Sequence, residues 1–286
     1  MIPDPLLGTV RLAGLGMAKE RRHRTGRANP AIGHCVRASL LLTLTWLGIG
    51  CDGNNMPMPD PSVRYVAFGD SATAGMSGHD YVDNLPLLLG RPPEEFANQG
   101  EGGETTSEGL ERLRGLLSMR IYPNAHTLLY WEGGTDIIAL MREVDRLLLL
   151  APLASNYPYS RQLNETLDRI QATIEAAVAE GQAAGLAVYV ATYFSLREAI
   201  APCDPLFLDI ILPSEARNAN GYVSLLNDRI RQAAANTGAT LVDIASANES
   251  LHADDANFRN CNHLSEYGNG IVAQLFAETL GQDEGE

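Results

Sequence analysis

The chain has 286 residues, enough for one large domain or two small ones. It is 45% hydrophobic and 20% charged, an ordinary globular balance that excludes wholesale disorder. The formal net charge of −14 is unevenly spread: residues 1–51 hold seven of the 21 Lys and Arg but only two of the 35 acids, and the acidic remainder repels nucleic acid, so no DNA or RNA partner is expected.

In chain order, the first feature is a basic leader. Arg37 precedes a 13-residue apolar run, Ala38 to Gly50, too short to span a bilayer comfortably but suited to the core of an export signal. The run ends on Gly48-Ile49-Gly50-Cys51, which resembles the lipobox of bacterial lipoproteins, with Leu47 one place earlier than usual. That resemblance implies export, a lipid on Cys51 and association with a membrane. A buried helix or an ordinary secretory signal are the alternatives, and Met17 is a second candidate start. Export leaves Cys203 and Cys261 in the body, where an oxidising compartment allows one pairing, so a Cys203–Cys261 disulfide is expected over two separate thiols. Residues 52–62, rich in Pro, Asn and Asp, read as a tether. The folded domain is expected over 63–286.

Arg64 to Phe68 reads as a short buried strand. Tyr81 to Leu89 reads as a helix with Leu85, Leu88 and Leu89 on one face, stopped by Arg91-Pro92-Pro93. Phe96 to Asn98 ends a second strand, and Asn98 to Thr106 is a glycine-rich loop. A helix follows over Ser107 to Ser118. His126 to Trp131 is a strand that runs into the turn Glu132-Gly133-Gly134-Thr135-Asp136. Ile137 to Leu150 reads as helix, and Leu163, Leu167, Ile170, Ile174 and Val178 mark a longer one ending at Gly185. Leu186 to Ser195 is the clearest strand, rich in β-branched and aromatic residues. Leu196 to Gly221, with its prolines, reads as an irregular insertion. Tyr222, Leu226, Ile230 and Ala233 mark a further helix, Thr240 to Ile244 a last strand, and Tyr267, Ile271 and Leu275 a C-terminal helix with Ser265 as N-cap. Strands alternate with helices throughout. The fold class expected is α/β, a three-layer α/β/α sandwich around a mainly parallel five-stranded sheet.

In such sheets reactive residues collect on loops at the carboxyl ends of strands. Ser71, the Gly100–Gly103 loop and the Gly133–Asp136 turn all fall there. Ser71 stands where a strand hands over to a helix, with free N–H groups available to a developing negative charge. Alone, Gly69-Asp70-Ser71 is an ordinary turn with an N-cap. In context, Phe68-Gly69-Asp70-Ser71, Asn98 to Thr105 with Gly109-Leu110-Glu111-Arg112-Leu113, Gly133-Gly134-Thr135-Asp136, and Asn260-Cys261-Asn262-His263 follow the order of the four blocks of the SGNH, or GDSL-type, esterase and lipase family, which this chain resembles over about Val63 to Leu280. The resemblance implies Ser71 as nucleophile, Gly103 as an oxyanion donor through its N–H, and His263 as general base. The chain departs from the family at two places. Thr135 stands where an asparagine amide donates to the oxyanion, and Asn260 where an aspartate orients the histidine. An Asn can hold the wrong imidazole tautomer. Asp254, Asp255 or a backbone carbonyl are further candidates to orient His263.

The other histidines of the body, His79, His126 and His252, read as structural, as does Asp70; Asp136 reads as a helix cap. No cofactor or metal is expected: the histidines lack ligand spacing, the body cysteines form no C-x-x-C pair, and the body has no lysine to complete a phosphate loop. The resemblance implies a serine esterase acting on acetyl, short-acyl or lysolipid-type esters, with a small-molecule, glycan or lipid ester as partner. The alternative is a catalytically impaired surface protein of the same fold that binds carbohydrate or lipid.

Overall fold

The computed structural model describes residues 58–75, 78–143, 160–198 and 213–283. The expected signal, Cys51 and Cys203 lie outside these residues. Residues from Asn55 onward belong to one compact unit. The last residues of the expected tether are held on it: Asp60 N–H donates to Ile121 O at 2.7 Å, and the Ser62 hydroxyl donates to Glu94 O at 3.2 Å. Among the described residues no helix is long and apolar enough to cross a membrane.

Five strands form one sheet: β1 (Tyr65–Gly69), β2 (Phe96–Gly100), β3 (Thr127–Trp131), β4 (Ala187–Ala191) and β5 (Thr240–Val242). The order is β2-β1-β3-β4-β5 and every pair is parallel. Every residue of β1 and β3 is buried, which explains their continuous apolar runs: a parallel sheet covered on both faces has no wet side to ask for alternation. The helices are α1 (Ser71–Ala74), α2 (Leu85–Leu89), α3 (Thr106–Ser118), α4 (Gly134–Glu143), α5 (Ser160–Ala183), α6 (Pro213–Thr237), α7 (Asn248–His252) and α8 (Glu266–Asp283). α3, α5 and α6 pack in succession, with α4 against α5 and α6, while α2 packs on α8. The fold is thus the α/β sandwich expected from the alternation of elements.

Several boundaries differ from the sequence reading. Gln99 and Gly100 belong to β2 rather than to the glycine-rich loop, because they pair with Phe68 and Gly69. Val82–Asn84 is a tighter 3₁₀ turn before α2, so Leu85 is buried while Leu88 is exposed. The segment expected to be irregular to Gly221 is helical from Pro213. Proline is compatible with a first helical position, where its missing N–H has no intrahelical partner to lose. β4 ends at Ala191, and Thr192 to Leu196 leave the sheet to border the site described next.

The register explains why distant segments meet. Gly69 at the end of β1 pairs with Gly100 at the end of β2 and with Trp131 at the end of β3. The three strands therefore finish level, and the residues after each emerge side by side. The connection from β1 runs first to β2 on one side and later to β3 on the other. That reversal opens the crevice in which ligands sit in sheets of this order.

Candidate active site

Ser71 is the first residue of α1, immediately after β1. The chain reaches it through Gly69, where a Cβ would lie 2.2 Å from Trp131 O and 2.3 Å from the Thr73 hydroxyl, so no side chain fits. Asp70 caps the helix: its Oδ1 accepts from Ala72 N–H at 2.9 Å. Its Oδ2 accepts from the Tyr193 hydroxyl at 2.7 Å, and the Thr135 N–H also donates to this carboxylate. Burial pushes the Asp70 carboxyl up to about 6 against the pull of these hydrogen bonds. The structural role read for Asp70 holds, and Tyr193 is its buried partner from the far side of the cleft. Among the described residues the N–H groups of Ser71 and Gly103 donate to no protein acceptor, which leaves both available to an anion.

His263 is buried and its Nε2 lies 3.2 Å from Ser71 Oγ. Its Nδ1 lies 3.1 Å from Asn260 Oδ1. The same oxygen accepts the N–H of His263 at 2.8 Å and of Asn262 at 3.1 Å. Both are obligate donors, so the Asn260 atom facing them must be the carbonyl oxygen rather than the amide nitrogen. Facing an oxygen, Nδ1 carries the hydrogen, and Nε2 is left with its lone pair toward Ser71. The wrong-tautomer hazard raised by an asparagine is removed by the backbone of its own turn. What an asparagine still lacks is the negative charge that stabilises an imidazolium.

The turn is held from outside. Phe258 and Leu264 form an antiparallel bridge across it, and Arg259 N–H donates to His263 O at 3.0 Å. Ser265 N–H donates to Asn257 O at 2.9 Å, and the Ser265 hydroxyl accepts from Tyr267 and Gly268 N–H, the expected N-cap of α8. Asp254 and Asp255, the alternative orienting groups, are occupied elsewhere: Asp254 accepts from Ala256 N–H at 2.8 Å, and Asp255 pairs with buried Arg197. Cys261, inside the turn, is fully buried, and Cys203, its expected partner, lies outside the described residues.

Gly102 and Gly103 crown a turn closed by Glu104 N–H donating to Glu101 O at 3.2 Å. Gly103 has φ +87°, a left-handed backbone that suits glycine, and open space where a Cβ would be. Gly102 is the neighbour nearer the nucleophile, its Cβ position 3.9 Å from Ser71 Cβ. The loop is anchored through Glu104, whose carboxylate takes Arg112 Nε at 2.6 Å and Nη2 at 2.5 Å, while Arg112 also donates to Gln99 O at 2.8 Å. Thr105 and Glu108 then form a reciprocal cap at the start of α3.

Thr135 shares a cavity wall with Ser71 in the first turn of α4. With its N–H turned to Asp70, the group it can offer the cleft is its hydroxyl. Asp136 accepts the Thr106 N–H at 2.8 Å and so caps the start of α3, a neighbouring helix, from the first turn of α4. Among the remaining histidines, His252 Nε2 lies 2.9 Å from Ser195 Oγ, a second serine–histidine pair. It also lies 3.1 Å from Ser195 O, an acceptor to which it must donate, so it has no lone pair for the hydroxyl proton and the structural reading stands.

Sequence reasoning passed over Glu132. It follows β3 directly, is 1% exposed, and no donor reaches either carboxyl oxygen among the described residues. Burial first, then the charges of Asp70, Glu104 and Asp136, push it well above the ordinary carboxylate range. An acid at the end of an otherwise apolar buried strand was the available signal.

The model of the GDSL-like lipase/acylhydrolase family matches residues 67–271. A solved member of the lipolytic G-D-S-L family from Veillonella parvula superposes with a TM-score of 0.55 at 15% identity, over 77% of this chain and 99% of that one. An acetylxylan esterase from Geobacillus stearothermophilus superposes with a TM-score of 0.52 at 21% identity, over 79% and 97% of the two chains. At these identities the likeness speaks for the fold. Comparison with curated proteins gives no match.

Proposed function

Because this chain belongs to the GDSL-like lipase/acylhydrolase family, we propose that it is a serine esterase that hydrolyses carboxylic esters through an acyl-enzyme on Ser71. The observation that carries the reading is His263 Nε2 at 3.2 Å from Ser71 Oγ, with Asn260 Oδ1 fixing the tautomer from the other side. Ser71 Oγ attacks the ester carbonyl carbon as its proton passes to His263 Nε2. The resulting oxyanion is met by the N–H groups of Ser71 and Gly103 and by the Thr135 hydroxyl. Collapse expels the alcohol, which takes the proton from His263. Water then repeats the cycle on the acyl-enzyme, releasing the acid and restoring Ser71.

One feature favours a second reading, a binding protein of impaired activity: the group beside His263 Nδ1 carries no charge. Hydrolysis of p-nitrophenyl acetate by the purified protein and by Ser71→Ala separates the two. The esterase reading requires turnover lost in the variant. Turnover unchanged by the substitution, or absent from the wild type, overturns it. With the esterase reading we propose an exported form lipidated at Cys51 and a Cys203–Cys261 disulfide, which intact mass of protein from its native envelope tests.

A further inference from the structure

The Glu132 carboxyl, directly after β3, is buried and meets no donor among the described residues. Helix α3 makes room for it at Gly109: a Cβ there would lie 2.8 Å from Glu132 Oε1 and 3.4 Å from Glu104 Oε2. The two carboxyls therefore converge on one glycine, and Glu104 is the residue directly after Gly103. Glu104 is ionised, since Arg112 meets both its oxygens, Nε at 2.6 Å and Nη2 at 2.5 Å. Arg112 also takes Gln99 O and pairs with Glu101, so it is spent on the loop. Around Glu132 stand also Asp70 ahead of α1 and Asp136 on α4, each holding other donors, the phenols of Tyr130 and Tyr193, and Arg169 of α5 on the Asp136 side. An ionised carboxyl buried without donor or free cation costs far more than a neutral one, so Glu132 keeps its proton.

We propose that Glu132 is a positioning residue of the oxyanion loop: as a neutral acid it donates to Glu104, and through Glu104 it fixes where the Gly103 N–H points. The role rests on the esterase reading of Ser71 and Gly103. Glu104 is the hydrogen-bonding neighbour of Glu132, and between two carboxyls such a bond needs a proton on one of them. Arg112 draws Glu104 toward α3 while Glu132 ties it to the end of β3, so the loop is held from two elements. Loss of the Glu132 proton sets two carboxylates against each other in a buried place, where like charges repel. Glu104 and the glycine before it then shift, and the oxyanion loses a well-placed donor. Burial holds the Glu132 carboxyl well above its ordinary range, so this loss comes on the alkaline side of the profile.

The test is kcat and KM for p-nitrophenyl acetate between about pH 6 and pH 9, for the wild type, Glu132→Gln and Glu132→Leu. Glutamine keeps a donor that does not titrate, and leucine keeps the bulk without the donor. Glu132→Leu should lower kcat about tenfold with KM little changed, less than the 10²–10³ of a donor removed outright. Glu132→Gln should stay within about threefold of the wild type at neutral pH and lose the alkaline fall in kcat that the wild type shows. A merely structural Glu132 moves the melting temperature and neither of these. Thermal melts identify a variant that has not folded, and either folded variant suffices. An alkaline fall absent from the wild type or kept in Glu132→Gln, or a folded Glu132→Leu with wild-type kcat, overturns the role while leaving the esterase standing. No hydrolysis by the wild type, with no labelling of Ser71 by a fluorophosphonate, overturns both.

Discussion

Asn260 Oδ1 faces His263 Nδ1 at 3.1 Å while accepting the backbone N–H of His263 and Asn262. The backbone thereby dictates which amide atom points at the imidazole, and the imidazole is left in the tautomer a general base needs. In a protease triad, replacing the acid by asparagine costs about 10⁴ because the tautomer is wrong. Here that part of the loss is absent, and the missing charge remains. Asn260→Asp should therefore raise kcat by about ten- to hundredfold, since a carboxylate attracts the imidazolium without altering the turn. Asn260→Ala should lower both kcat and thermal stability. Steady-state kinetics of the two variants check this, and a slower Asn260→Asp enzyme would contradict it.

Thr135 offers the cleft a hydroxyl because its N–H is committed to Asp70. Thr135→Val keeps the shape and the backbone contact and removes that donor. A fall in kcat of about 10²-fold with little change in KM is expected, the pattern of an interaction made in the transition state. Thr135→Asn should exceed the wild type. A change confined to KM would assign Thr135 to ground-state binding instead.

The buried acids beneath the site give the protein a pH signature. Glu132 is held above its ordinary 4.5, and Asp70 is pushed from 3.8 to about 6, both by burial first. Their neighbours Glu104 and Asp136 add repulsion, while Arg112 compensates Glu104. A group whose folded value is raised binds its proton more tightly in the folded state. Its stabilisation is complete below the unfolded value and is lost as pH rises through the folded one. Stability should therefore decline from mildly acidic pH upward. Glu132→Gln removes the part of this decline that Glu132 contributes. Its Tm relative to the wild type should climb between about pH 5 and pH 8, by on the order of 5 °C. Calorimetry across that range checks it, and a constant difference would contradict it.

The strands and the order of the layers were legible in the sequence because each is written locally, as an apolar run or a glycine break, whereas the pairing of Ser71 with His263 was implied by the resemblance of four short blocks to a known family. The tautomer at His263 was not legible, since it depends on where two N–H groups of the same turn point. Nor was the role of Tyr193: it meets Asp70 because β3 pairs with β1 and β4 with β3, a matter of register rather than residue type, whereas Glu132 did carry a signal, an acid ending a buried apolar strand. The start of α6 was missed because Pro213 reads as a breaker until its place at the first turn is known. Leu88 was assigned to a buried face because a helical period was extended through a turn of 3₁₀ geometry.

The central claim is that Ser71 is a nucleophile activated by His263. Intact mass after reaction with a fluorophosphonate probe tests it most directly, because the adduct needs both groups and no particular ester. Expected is one adduct per wild-type chain, mapped to Ser71, with none on Ser71→Ala and strongly slowed labelling of His263→Ala. An unlabelled wild type, or an adduct on another residue, would contradict it.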